Sequence, residues 1–174
     1  MEYTNISMIG DDKVRYVLKK EGKNPLFVLG INPSTADDNH PDRTMTRVCG
    51  FAEKMGFDSF VMLNVYPLRT PKIEELPAEL NPDLHQKNLS HIVDEISKIE
   101  NPTILVAHGN SISAKKYLRS CLQEILNELA QFKTAKFIQL GDLTKYGNPR
   151  HPLMARADIE IKEYKFKKNR NQSL

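Results

Sequence analysis

Cysteine is nearly absent: Cys49 and Cys121 are the only two in 174 residues. Neither has a CxxC or Cys/His ligand spacing, which argues against disulfide-stapled and zinc-ribbon architectures. Both fall in apolar, helix-like stretches and read as reduced core residues, as expected of a cytoplasmic protein. No apolar run approaches the ~18 residues of a membrane span. The opening Met1-Glu2-Tyr3-Thr4-Asn5 lacks a basic segment followed by an apolar one, so no signal peptide is expected. Charge of one sign is also scarce. The 25 Lys and Arg against 22 Asp and Glu leave +3, too little to argue for nucleic acid by itself. There is no Walker A loop, no GxGxxG and no GxSxG elbow, which disfavours the common nucleoside-triphosphate, dinucleotide and hydrolase readings.

What remains is the composition of an ordinary globular domain, with 40% hydrophobic and 27% charged residues. A chain of this size buries about 70% of its unfolded surface and needs no metal or disulfide staple. With no internal repeat or low-complexity linker, one α/β domain over 1–174 is expected. Its tail from 162 to 174 carries Lys162, Lys165, Lys167, Lys168 and Arg170 against Glu163. That tail reads either as a solvated, partly disordered terminus or as a basic arm near a phosphate backbone.

Four short runs are mostly apolar without alternation: Leu26 to Ile31, Phe60 to Val65, Thr103 to Ala107 and Lys136 to Leu140. This is the pattern of strands covered on both faces, as in a parallel sheet. Between them Val48, Phe51, Ala52 and Met55 repeat at helical spacing, with Gly56 as a C-cap. Leu89, Ile92, Val93, Ile96 and Ile99 do the same before Asn101-Pro102, and Ser113 to Ala130 carries a third helix. The alternation predicts a three-layer α/β/α sandwich around a central four-stranded parallel sheet. The stretch Thr70 to Asn88, with Pro71, Pro77 and Pro82, reads as a long irregular connection. Tyr3 to Lys20 is ambiguous, with a hairpin around Gly10-Asp11-Asp12 as one solution.

Open α/β sheets bind ligands beyond the carboxyl ends of their strands. Here those ends run into Asn32-Pro33-Ser34-Thr35, Asn64-Val65-Tyr66-Pro67-Leu68-Arg69, His108-Gly109-Asn110-Ser111, and Gly141-Asp142 toward Tyr146 to Pro152. Asn32 is the leading candidate, since an Asn can orient a water or bond an amide-like ligand. A strand-ending Asx-turn is the equal alternative for it. Ser34 and Thr35 can cap a turn whose free N–H groups suit an anion. Asp42 or Thr44 is expected to open the first helix. Arg47, one turn in, either pairs with Asp42 or offers its fork to phosphate. His108 is a candidate acid/base or a structural histidine. Arg150 and His151 sit between prolines that stiffen their loop. Asp37, Asp38, His40 and Asp42 could together hold a divalent metal, although their spacing is that of neither an EF-hand nor a zinc site. No cofactor is expected.

Val14 to Leu18, Asn32-Pro33-Ser34-Thr35-Ala36-Asp37, the D-x-T-x-x-R pattern of Asp42 to Arg47, and Gly147 to Leu153 together resemble a bacterial family, domain-of-unknown-function family 1643, over most of the chain. A second resemblance is to the uracil-DNA glycosylase superfamily. Gly30-Ile31-Asn32-Pro33 looks like the water-positioning loop of the mismatch-specific enzymes. Asn64-Val65-Tyr66-Pro67, His108-Gly109-Asn110 and His151-Pro152-Leu153 follow in the same order. Ser34 and Leu153 stand where those enzymes carry smaller residues. The resemblance implies a glycosylase-like fold binding a nucleobase, nucleotide or nucleic acid, with N-glycosidic hydrolysis as its chemistry. Asn32 would orient water, His151 would stabilise the leaving base, and Arg47, Arg69 and Arg150 would hold phosphate. Ser34, Thr35, Asp42, Thr44, Asn64, His108 and Asn110 complete the expected site. A binding module without chemistry and a metal-assisted hydrolase are the alternatives.

Overall fold

A strand that is mostly apolar without alternation needs cover on both faces, and the four such runs form the centre of one sheet. In the computed structural model, which describes residues 1–167, these are β3 (Pro25–Gly30), β4 (Ser59–Asn64), β5 (Thr103–Val106) and β6 (Lys136–Leu140). They are mutually parallel, side by side in the order β4-β3-β5-β6. Consecutive strand residues point to opposite faces, so each strand feeds two cores. Phe27, Leu29, Ile104 and Val106 pack with α2 (Pro82–Ser97) and α3 (Lys116–Leu129). Leu26, Val28 and Leu105 pack with α1 (Arg43–Lys54).

The sheet has seven strands, not four. An antiparallel hairpin of β1 (Ile6–Gly10) and β2 (Arg15–Lys20) pairs through β2 with β4, and β7 (Ile161–Glu163) runs antiparallel to β6. Both additions cover the edges that an open four-stranded sheet would expose. The ambiguous N-terminal segment is therefore the hairpin. Its turn is closed by Asp11, whose Oδ1 accepts from the N–H groups of Lys13 and Val14 at 2.7 and 2.9 Å. Gly10 is required there: its φ is +147°, and a Cβ would lie 2.2 Å from the carbonyl oxygen of Val14. The expected solvated tail is partly structured too. Lys162 lies in β7 and its Nζ reaches Asp142 at 2.8 Å. Lys168 and Arg170 lie outside the described residues.

The helices begin where side chains can cap them. Asp42 opens α1, its Oδ1 accepting from Met45 N–H at 2.8 Å, and Gly56 follows the helix at a φ of +81°. The irregular connection is shorter than its prolines suggest. Asn81 caps α2 and Pro82 occupies its first turn, where a missing N–H costs nothing. Among the described residues no helix is long and apolar enough to cross a membrane.

Registers place the site. Gly30 of β3 is level with Asn64 of β4, and Leu29 is level with Val106 of β5. The carboxyl ends of the parallel strands therefore finish nearly together. Asn88 of α2 secures one of them by donating to the carbonyls of Asn64 and Val65 at 2.9 and 3.4 Å.

Candidate functional site

At these strand ends lies a cleft of about 790 Å³, within the size range of small-molecule sites. Asn32 and Ser34 line it from the loop after β3, and Asp42 and Thr44 from the start of α1. Asn110 lies after β5, and Arg150 and His151 come from the segment after β6. Seven of the residues singled out from sequence thus meet in one place. Thr35 is exposed outside it, and Arg47, Asn64, Arg69 and His108 do not line it.

Asn32 is held by its amide nitrogen. Nδ2 donates to the carbonyl oxygens of Pro33, Leu68 and Thr70 at 3.0, 3.3 and 3.2 Å. Three carbonyl neighbours fix which end of the amide is nitrogen. They leave Oδ1 without a partner among the described residues, as an acceptor on a cleft-lining side chain. The loop that carries Asn32 is itself tied to the end of β4, with Val65 N–H to Gly30, Tyr66 N–H to Ile31 and Thr70 N–H to Pro33, each at 3.0 Å. The Asx-turn alternative for Asn32 is not what forms. The Asx-turn lies five residues on, where Asp37 Oδ1 accepts from Asn39 and His40 N–H at 2.8 and 2.7 Å. Those two bonds hold the Asp37 carboxyl below the usual range.

His151 is oriented by its own backbone. Its Nδ1 accepts from Leu153 N–H at 3.3 Å, which puts the proton of the neutral ring on Nε2. Burial lowers its pKa, and the nearby Asp42 charge opposes that shift. Near neutral pH the ring is an uncharged donor. The segment behind it is clamped by Arg47, whose guanidinium donates to the carbonyls of Pro152 (3.4 Å) and Ala155 and lies over the Phe51 ring. Arg47 therefore positions the His151 segment from behind, and makes no salt bridge with Asp42.

His108 has the opposite surroundings. It is 2% exposed, donates from Nδ1 to Gly109 O at 2.8 Å, and leaves Nε2 buried without a partner among the described residues. Burial pulls its pKa down to about 4, against the Gly109 bond, which raises it. Its neighbour Gly109 lines the cleft, and His108 does not. This glycine has a φ of +65°, and a Cβ on it would lie 2.9 Å from the Cβ of His151. The two loops can touch only because the residue has no side chain.

Asn110 joins the site to the last loop. Its Oδ1 accepts from Thr144 Oγ1 at 2.7 Å and from Asn148 Nδ2 at 3.1 Å. Arg150 donates from Nε to Asp142 O at 3.1 Å. Arg69 lies aside from the cleft, donating to Asp11 O at 3.4 Å and to Ala36 O at 3.3 Å. Asn64 is wholly buried at the end of β4, and neither side-chain polar atom has a partner among the described residues.

Sequence reasoning missed Arg15. It lies far from the strand-end loops in sequence, but β2 sits against β4 and brings it to the cleft wall. The other additions include Thr70, Lys72 and Glu74 on one side, and Lys145, Tyr146 and Met154 on another. No three His, Cys, Asp or Glu side chains converge on a metal-sized site among the described residues. Asp42 is engaged as a helix cap and Asp37 in its turn.

No curated protein and no solved structure matches the chain. A family model does, over residues 15–153, from the end of the hairpin turn through the clamped His151 segment. The chain therefore belongs to the DUF1643 family of proteins of unknown function.

Proposed function

We propose that the cleft binds a nucleobase or nucleotide-like group and hydrolyses its N-glycosidic bond. The observation that carries the reading is the pairing of two prepared neutral groups in one cleft. Asn32 has its amide nitrogen pinned by carbonyls and its Oδ1 free, and His151 has its Nδ1 occupied and its proton on Nε2. Asn32 Oδ1 would accept from a water and aim it at the anomeric carbon. His151 Nε2–H would donate to the base as it takes up the electron pair of the breaking C–N bond. The hydroxyl of water ends on the sugar and its proton on the released base.

The cover of the sheet on both faces supports a three-layer sandwich of the uracil-DNA glycosylase kind. The order of the four loop motifs supports the same relation. The two buried free thiols fit a bacterial cytoplasmic protein. The test is release of free base from uracil- and mismatch-containing oligonucleotides and from nucleosides, comparing wild type with His151→Ala. Release that the variant loses supports the proposal. No release by the wild type across the panel counts against the chemistry.

A second reading, binding without chemistry, is favoured by the charge of the lining. Arg15, Lys72, Lys145 and Arg150 outnumber Asp42 and Glu74. It predicts salt-dependent nucleotide or nucleic-acid binding with no base release.

A further inference from the structure

Arg15 is the one cleft-lining cation, among the described residues, that is buried, with 2% of its surface exposed. A buried guanidinium ordinarily has a carboxylate beside it, because removing an unpaired charge from water is costly. Arg15 has none: no described carboxylate oxygen lies within ion-pair distance of it. Its Nη1 donates to Ala36 O at 2.8 Å. Nε is sealed from solvent with no partner among the described residues, whereas Nη2, which donates to no described group, is not sealed. The second guanidinium nearby adds to the imbalance, since Arg69 donates from Nη2 to the same Ala36 carbonyl at 3.3 Å.

The acid acting on Arg15 through space is Asp42, whose Oδ1 is committed to the cap of α1. Burial and the Arg69 charge bring Arg15 down to about 10, against Asp42 and Tyr3, so it is charged at neutral pH. With Nη1 engaged by backbone and Nε sealed, the donor left for a ligand is Nη2, whose charged N–H groups suit an oxyanion.

We infer that Nη2 of Arg15 is an oxyanion subsite on the buried wall of the cleft, taking the phosphate or carboxylate group of a ligand of nucleotide size. The inference deepens the proposed reading and rests on it for the location of the site, but not for the nucleobase. Arg15 carries a charge that the folded chain does not neutralise, and the ligand supplies the missing partner. The subsite is distinct from Arg47, Arg69 and Arg150, whose guanidinium groups donate to backbone carbonyls.

The experiment is thermal unfolding of the full chain in sodium phosphate, sodium acetate and sodium chloride at matched ionic strength, then with uridine and uridine monophosphate. The proteins are wild type, Arg15→Met and Arg15→Lys. Near-saturating phosphate or acetate is expected to raise the wild-type midpoint over chloride by ~5 °C, and the more effective anion identifies the oxyanion class. Arg15→Met should unfold in chloride no lower than wild type and lose the anion-specific shift. Arg15→Lys, which keeps a charge on a shorter head with no donor at the Nη2 position, should keep less than half of it. If Arg15→Met does not fold, Arg15→Lys decides by the same criterion. An absent anion-specific shift in wild type overturns the inference, as does a full shift in Arg15→Lys or in a folded Arg15→Met. So does an Arg15→Met protein that unfolds well below wild type in chloride, because the arginine is then structural. A phosphate shift without one for uridine leaves the subsite standing and removes the nucleobase. A uridine shift without one for either anion does the reverse.

Discussion

Two histidines stand on either side of Gly109 and have been given opposite work. His108 is sealed in the core, bonds its neighbour's carbonyl through Nδ1, and is held neutral by burial down to about pH 4. His151 lines the cleft, accepts a backbone N–H on Nδ1, and carries its neutral-ring proton on Nε2. Two arginines repeat the contrast. Arg47 donates to carbonyls behind the cleft, while Arg15 reaches its wall with one edge of the guanidinium unused. Residue type does not separate the members of either pair. What separates them is whether the backbone around the side chain consumes its donors and acceptors or leaves one over.

The largest test of this contrast exchanges the histidines' fates. His151→Ala should reduce base release about 100-fold, the size of losing one prepared donor. It should cost only ~1 kcal/mol of stability for the lost Leu153 bond. His108→Ala should do the reverse, keeping release within a few-fold and lowering the unfolding midpoint. Release assays and thermal unfolding on the same preparations check this, and equal loss of release in both would erase the distinction.

Next comes the glycine between them. Gly109→Ala forces a side chain into a left-handed backbone and against His151 Cβ. It should cost about 1–3 kcal/mol in denaturant unfolding and also impair release.

The third prediction concerns acid. His108 has a folded pKa of about 4, below its ordinary 6.5, so between those values the unfolded chain binds the extra proton and stability falls as pH falls. From pH 7 to pH 5 this group should remove about 2 kcal/mol. His108→Gln should flatten that part of the pH profile.

The smallest effect is at Arg47. Arg47→Met should lower stability by ~1 kcal/mol and speed amide exchange at Leu153 to Ala155, whereas Arg15→Met should not lower stability.

The same contrast marks how far sequence could go. The central strands were readable because cover on both faces makes them mostly apolar without alternation. The runs at Leu26 to Ile31 and Phe60 to Val65 match β3 and β4 to within a residue at each end. β7 was not readable, because three residues, Ile161-Lys162-Glu163, on a sheet edge look like the start of a charged tail. The position of β2 inside the sheet was hidden for another reason: pairing with β4 depends on which edge the hairpin chooses, and no local pattern encodes that.

For the site, loop chemistry at strand ends located Asn32, Ser34, Asp42, Thr44, Asn110, Arg150 and His151. It could not tell that Asn64 and His108 turn inward, nor that Arg47 serves the backbone behind. Those outcomes depend on carbonyl positions set by tertiary packing. Arg15 stood in the Val14 to Leu18 stretch that carries part of the family resemblance, but it reaches the cleft wall because the start of β2 pairs with the segment after β4, with Arg15 N–H donating to Pro67 O at 2.9 Å.

The central claim is that this cleft binds a nucleobase-bearing ligand through Asn32 and His151. Calorimetric titration of wild type and His151→Ala with uridine monophosphate tests it most directly. The account predicts saturable binding by wild type, weakened at least tenfold in a His151→Ala protein that unfolds within a few degrees of wild type. No binding by wild type, or equal binding by both, would contradict it.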